Sequence, residues 1–325
     1  VIDDFRNSYT YSREEVKAWN FNLSKRKEDK NFKSDWEMAL KDALPNIEWP
    51  TFEANQEIAT RKVWGSVIET LAPNKKTLVG GSADLEPSNV TAGFAKLVKD
   101  FTKDNYSGRN FAYGVREFPM GAINNGIAQH SGLKVFGATF FVFSDYERPA
   151  LRMRALQNLP VISEYTHDSI FVGEDGPTHQ PIEHIMSCRM IPNLLVLRPG
   201  DANEAVIASK IAFEQTNRPS IILLTRQKIP VFDRNVYPNV NNVYKGGYVM
   251  KDSNDADITI FCSGSEVWVA LEVANLLTQF KTRVVNMVSW ELFDEQSDSY
   301  KKDVIGSAKS LKVSIEAGVT TGWQK

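Results

Sequence analysis

The sequence predicts an α/β protein: a doubly wound, mainly parallel sheet, then a second, smaller α/β unit that is cut short. Three observations carry this. Short β-rich runs alternate with helical periodicities from about residue 58 to 225. The rhythm breaks over residues 230–255, which hold Pro230, Pro238, four asparagines between 235 and 242, and Gly246-Gly247. Alternation resumes at Asp257. Three segments follow: a linker over 1–50, a first α/β domain over 51–240, and an incomplete one over 241–325.

The first 50 residues are polar, charged and irregularly aromatic. Ser24-Lys-Arg-Lys-Glu-Asp-Lys30 mixes acids with bases, which reads as a solvated helix face or linker rather than a nucleic-acid surface. Trp19, Phe21, Phe32 and Trp36 indicate a segment that packs along a neighbouring domain. Ile58–Leu71 has helical period and Pro73 ends it. Strands are expected at 77–80, 110–113, 133–139, 160–166, 193–198 and 220–225, with helices at 117–130, 144–158, 182–190 and 201–216. In the last unit the expected elements are strands at 257–262, 282–289 and 311–316 and a helix at 265–280.

The chain has 325 residues, 42% hydrophobic and 24% charged, with net charge −2. No global field attracts nucleic acid or an anionic membrane. No apolar run reaches the length of a membrane span. Two isolated cysteines, Cys188 and Cys262, fit a reducing compartment rather than a disulfide framework. The chain starts at Val1 and stops just after a strand and turn, and it reads as a piece of something longer.

The functional centre is Tyr165–Glu183. It holds His167, Asp168, Glu174, Asp175 and His179 with two glycines and two prolines, between a strand and a helix expected from Pro181. Ligand sites of α/β sheets sit at such strand ends. A metal site built on His167, Asp175, His179 and His184 is disfavoured, because His179 and His184 are five apart and no cysteine is suitably spaced. Polar recognition and proton transfer are better uses of a histidine beside a carboxylate.

Other candidates surround this loop. Gly80-Gly-Ser-Ala-Asp-Leu-Glu-Pro-Ser-Asn89 follows a strand; its residues leave a plain turn and an anion site both open. Glu117 opens a Gly/Ala-rich helix whose Gly121, Ala122, Ile123, Gly126, Ile127 and Ala128 read as buried. That setting would desolvate the carboxyl, although acids at helix starts are also simply stabilising. Phe140, Phe141, Phe143 and Tyr146 are either core or a platform for a planar ligand. Arg226 at a strand end and Arg61 on the first helix suit a phosphate or carboxylate, with surface arginine as the alternative.

Taken in order, Gly81-Ser-Ala-Asp-Leu85 with Pro87-Ser-Asn89, Gly114-Val-Arg-Glu-Phe118, Phe140–Tyr146, Thr166-His-Asp-Ser-Ile170, Gly173-Glu-Asp-Gly-Pro-Thr-His-Gln-Pro181 and Arg226-Gln227 resemble transketolase over about residues 55–325. The resemblance implies a pyrimidine-binding domain for thiamine diphosphate at 51–240, a partial C-terminal domain after it, and a homodimer. The diphosphate-binding N-terminal domain is absent, and with it the ligands for Mg2+ or Ca2+; no metal ligand is assigned to this chain. The implied activity is ketol transfer between sugar phosphates in the pentose phosphate pathway, in cytoplasm or plastid.

The resemblance also implies roles. Glu117 exchanges a proton with the pyrimidine ring, one of Phe140 and Phe143 stacks on it, and the other completes the pocket with Tyr146. Asp84 lies near the cofactor. Arg61, Ser88, His167 and Arg226 hold the sugar's phosphate, while Asp175 and His179 contact substrate hydroxyls near the transferred unit and join Glu117 as catalytic residues. The rival readings are a dihydroxyacetone synthase, a split transketolase subunit, and a non-catalytic dimerising or regulatory homologue.

Overall fold

The computed structural model describes residues 1–253 and 255–324. Contacts divide the chain into two compact units, 1–43 and 44–325.

The first unit is two helices. α1 spans Ile2–Arg26, with Asp3 and Asp4 in its first turn and Lys25 and Arg26 in its last, charges that suit the helix dipole. α2 spans Lys30–Lys41 and is capped by Asp29, whose Oδ1 accepts from the Asn31 and Phe32 N–H groups at 2.8 and 3.3 Å. Trp36 gathers the unit's rings, with centroids 6.3 Å from Trp19 and 6.0 Å from Phe32. Phe21 stays exposed.

The second unit opens with a short strand, β1 (Glu57–Ile58), and α3 (Thr60–Asn74). Next come β2 (Leu78–Ser82), α4 (Ala92–Val98), α5 (Glu117–His130), β3 (Lys134–Phe140), α6 (Ser144–Leu156), β4 (Ile162–Thr166), α7 (His184–Arg189), β5 (Leu195–Leu197), α8 (Ala202–Glu214) and β6 (Ser220–Leu224). The five strands β2-β3-β4-β6-β5 are all parallel. Each is buried, as a parallel sheet covered on both faces requires. α3 and α8 cover one face around Trp64, which stacks on Phe213 and meets Phe136 edge-on. α6 and α7 cover the other through Leu151, Ala155, Ile185 and Cys188.

β7 (Ile229–Pro230) pairs with β1 and returns the chain. β8 (Gly247–Lys251), β9 (Ile258–Cys262), α9 (Glu266–Leu276), β10 (Thr282–Met287), α10 (Trp290–Asp294), α11 (Asp298–Ile305) and β11 (Leu311–Ile315) complete it. The second sheet runs β11-β9-β10-β8, parallel except for β8 at its edge. Its Ile260 and Val284, with Ala270 of α9, join the same core as α3 and α8. Among the described residues no helix is long and apolar enough to cross a membrane.

Four expectations need correction. Residues 110–113 form no strand; Asn110 makes single bridges to Gly80 and Asp100, and its side chain is taken up by Glu86 and Asp100. The segment still lies against β2, where a Cβ on Gly81 would sit 2.1 Å from the Phe111 carbonyl. The interruption at 230–255 contains the edge strand β8, whose Tyr248 and Met250 point inward in alternation with half-buried Val249 and Lys251. The helix expected from Pro181 begins at His184, because 3₁₀ turns at 173–175 and 177–179 shape the loop and the Ile182 N–H turns to His184 Nδ1. On α5 the buried face is Glu117, Met120, Gly121, Asn124 and Asn125, whereas Ala122, Ile123 and Gly126 face outward.

Candidate active site

The site lies at the carboxyl ends of β3, β4 and β6. β3 ends at Phe140, which is 6% exposed, and the chain turns through 141–143 into α6. β4 ends at Thr166, and the next residue, His167, adopts φ 59°. That left-handed backbone is uncommon for a residue with a Cβ. It lays the imidazole against Phe140, with ring centroids 3.8 Å apart. One face of Phe140 is therefore taken, and half-buried Phe143 is the ring left with access to a ligand. Phe143 lies parallel to Phe140 at 5.9 Å, meets His179 edge-on at 5.5 Å and stands 6.1 Å from exposed Tyr146.

A hydrogen-bond chain fixes the His167 tautomer. The Thr166 hydroxyl donates to Asn89 Oδ1 at 2.9 Å, and the Asn89 amide donates to Ser82 Oγ at 2.9 Å. Thr166 Oγ1 therefore accepts from His167 Nδ1 at 2.8 Å, leaving Nε2 to face Asp175, whose Oδ2 is 3.7 Å away. Burial, then the nearby Arg61 and Arg226 charges and His179, push the His167 pKa down to about 3, so the ring is neutral at physiological pH.

Arg61 on α3 and Arg226 after β6 close this corner. The Arg61 guanidinium donates to the Ser88 carbonyl at 2.9 Å, and its buried Nε has no partner. Burial and the facing Arg226 lower its pKa. Arg226 donates to Glu174 at 2.6 Å and lies 3.7 Å from Asp175. Two guanidiniums thus converge beside the imidazole, a pair of donors that fits a phosphate or sulfate dianion. Spare capacity at Arg61 Nε agrees with an anion as the missing partner.

Glu117 comes from a different direction. α5 and α6 run side by side in the same sense: a Cβ on Gly121 would meet Glu147 and Ala150, and Asn125 bonds both the Ala150 carbonyl at 2.9 Å and Arg154 Nε at 2.9 Å. Glu117, one turn before Gly121, is therefore level with Phe143 and Ser144. It is 8% exposed. Asp84 stands apart, exposed at φ 63° in the turn after β2, and among the described residues no hydrogen bond or ion pair joins it to the rings.

Sequence reasoning overlooked Glu164. It lies on β4, fully buried, with neither carboxylate oxygen partnered, and burial pushes its pKa well up against the opposing Arg61 charge. An acid inside the apolar run of a central parallel strand was the available signal. Asp145, Glu183 and His184 also cluster closely enough to hold a cation. Both His184 nitrogens are engaged, however: Nδ1 accepts from Ile182 N–H at 3.3 Å and Nε2 lies 3.1 Å from Asp145.

Fold and site together define an open α/β protein with an anion corner beside a wall of rings. The family description "Transketolase, pyrimidine binding domain" matches residues 56–231, and "Transketolase-like TK C-terminal domain" matches 246–325. The chain belongs to the transketolase family. It is 46% identical over 299 residues to the transketolase of Halalkalibacterium halodurans, covering 90% of this chain and 44% of that one. With the chloroplastic transketolase of Zea mays it shares 50% over 273 residues, 82% of this chain and 40% of that one. The solved transketolase from Leishmania mexicana superposes with TM-score 0.89 at 38% identity, over 95% of this chain and 46% of that one. A structure described as "Split gene transketolase, inactive beta4 tetramer" superposes with TM-score 0.64 at 28% identity, over 82% of each chain. The chain spans less than half the length of the curated relatives above.

Proposed function

We propose that this chain supplies the pyrimidine-facing half of a transketolase site, acting on sugar phosphates with thiamine diphosphate. The observation that carries the reading is that α5, which opens on the shielded carboxyl of Glu117, packs along α6, which follows directly on the half-buried ring of Phe143. Thiamine diphosphate, when bound, supplies a nucleophilic carbon and an electron sink. Glu117 would hold a proton at a ring nitrogen of the pyrimidine, and Phe143 and Tyr146 would stack on and flank that ring. Arg61, Arg226 and His167 would bind the substrate's phosphate, with Ser88 beside them. Asp175 and His179 would orient its hydroxyls. Mg2+ and the diphosphate are assigned to a domain outside this chain.

The same reading includes a homodimer with the site between subunits. Val115, Phe118 and Ile123, close to Glu117 in sequence, and Tyr146 on the neighbouring helix are 74%, 49%, 47% and 65% exposed. This apolar rim supports burial against a second chain. The test is ketol transfer by the complete enzyme between a ketose phosphate and an aldose phosphate, with and without thiamine diphosphate and Mg2+. Transfer that needs the cofactor supports the reading, and cofactor-independent or absent transfer ends it. The split-gene match favours a second form, in which the missing half is a separate polypeptide. The mass of the intact gene product separates the two.

A further inference from the structure

The phosphate corner is braced from the second sheet. Asp168 follows the left-handed His167, and its Oδ2 accepts from Arg198 Nε at 2.9 Å. Arg198 directly follows β5 and is fully buried. Its second arm reaches the other sheet, donating to the Ser263 carbonyl at 2.9 Å and to Glu266 Oε2 at 2.5 Å. Glu316, just past β11, stands 3.8 Å from the same nitrogen and is gripped by Arg189 through two bonds of 2.8 Å. Burial opposes the charge on Arg198, and Glu266, Asp168 and Glu316 outweigh that opposition.

Buried ion pairs are poor stabilisers compared with apolar side chains of similar volume. What this one adds is direction, because a planar fork fixes where each carboxylate must lie. The fork's two ends fall on Asp168 beside His167 and on loops of the four-stranded sheet. His167 is thus held between two anchors: Thr166 on its ring, and Asp168 on its backbone.

We propose that Arg198 is a positioning residue for phosphate recognition: by tying Asp168 to Ser263 and Glu266, it makes the second sheet hold His167 in its left-handed setting beside Arg61 and Arg226. The proposal rests on the phosphate role assigned to that corner above.

The experiment is steady-state kinetics of the complete enzyme carrying Arg198→Lys or Asp168→Asn, with a ketose phosphate donor and with the same ketose lacking its phosphate. Arg198→Lys keeps the charge and loses the fork; Asp168→Asn keeps shape and carries the test if the first variant unfolds. KM for the phosphorylated donor is expected to rise about tenfold, the scale of one charged hydrogen bond, with kcat within about twofold and the unphosphorylated donor unaffected. A wild type that ignores the donor's phosphate sinks the phosphate corner itself. A wild type that prefers phosphate, with variants that lose both donors equally or neither, overturns the positioning role.

Discussion

The anion corner and the ring wall are built on different principles. Arg61, His167 and Arg226 come from three separate elements at the carboxyl end of the sheet, and both guanidiniums already meet a group of the same chain. Glu117 opens α5, while Phe143 in the turn before α6 and Tyr146 on α6 come from the helix packed beside it, and Val115, Phe118, Ile123 and Tyr146 are exposed. The first region is closed and polar; the second is open and apolar. A parallel sheet can assemble a complete anion pocket from its own strand ends. A planar ligand needs a cover on its far side, and this chain places exposed rings there. Charge-pocket variants should therefore act on substrate affinity, and wall variants on turnover and cofactor.

The largest expected effect is at the wall. Glu117→Gln keeps shape and removes the exchangeable proton, so turnover of the complete enzyme should fall by about 10²–10⁴-fold, the range of positioned proton transfer. Substrate KM should move little. Stopped assays with excess cofactor, with circular dichroism to verify folding, check it. Near-normal turnover would remove the catalytic distinction between the two regions.

The corner comes next. Arg226→Ala should raise KM for phosphorylated substrates by about 10–100-fold, in line with the loss of a charged hydrogen bond. Arg61→Lys should cost less, because it keeps the charge but not the planar donors. The check is kcat and KM for both variants; a fall in kcat without a rise in KM would assign the arginines to the wall's chemistry instead.

A smaller effect tests which ring does the stacking. Phe143→Leu should weaken cofactor binding by about 0.5–1.5 kcal/mol, the contribution of an aromatic contact beyond its area. Titration calorimetry of thiamine diphosphate into the complete enzyme measures it. Unchanged affinity would move the platform to Tyr146.

The two regions also differ in how far the sequence announced them. The corner was legible because polar residues crowd the end of a strand between Tyr165 and Glu183, where the chain has no packing reason to place them. The wall was half legible. The Gly/Ala-rich run from Gly121 to Ala128 was read as the buried part of α5, but the buried face proved to be the one with Glu117, Asn124 and Asn125. The parallel, doubly wound sheet followed from apolar runs spaced by helices. β8 was missed because Gly246 and Gly247 look like a connector, although Gly246 serves a positive-φ turn at 76° leading into the strand. Glu164 was overlooked although an acid inside an apolar strand run marks it, whereas the Arg198 brace was beyond reach because its partners are distant in sequence and only the fold brings Asp168, Ser263 and Glu266 together.

The gentlest test concerns protons. His167 carries an ordinary pKa of 6.5 when exposed and about 3 in the folded chain, through burial and the Arg61 and Arg226 charges, with His179 adding to them. Between those values the unfolded chain binds a proton that the folded chain refuses. Protonation therefore favours unfolding: stability is complete above about pH 6.5 and declines as pH falls toward 3. His167→Asn retains a donor for Thr166 without the titration. Urea midpoints of wild type and variant at pH 7, 5 and 4 should converge as acid is added, with the wild type losing more. Parallel decline would mean that the corner's charges do not reach His167, and the closed, mutually bound pocket would be no more pre-assembled than the open wall beside it.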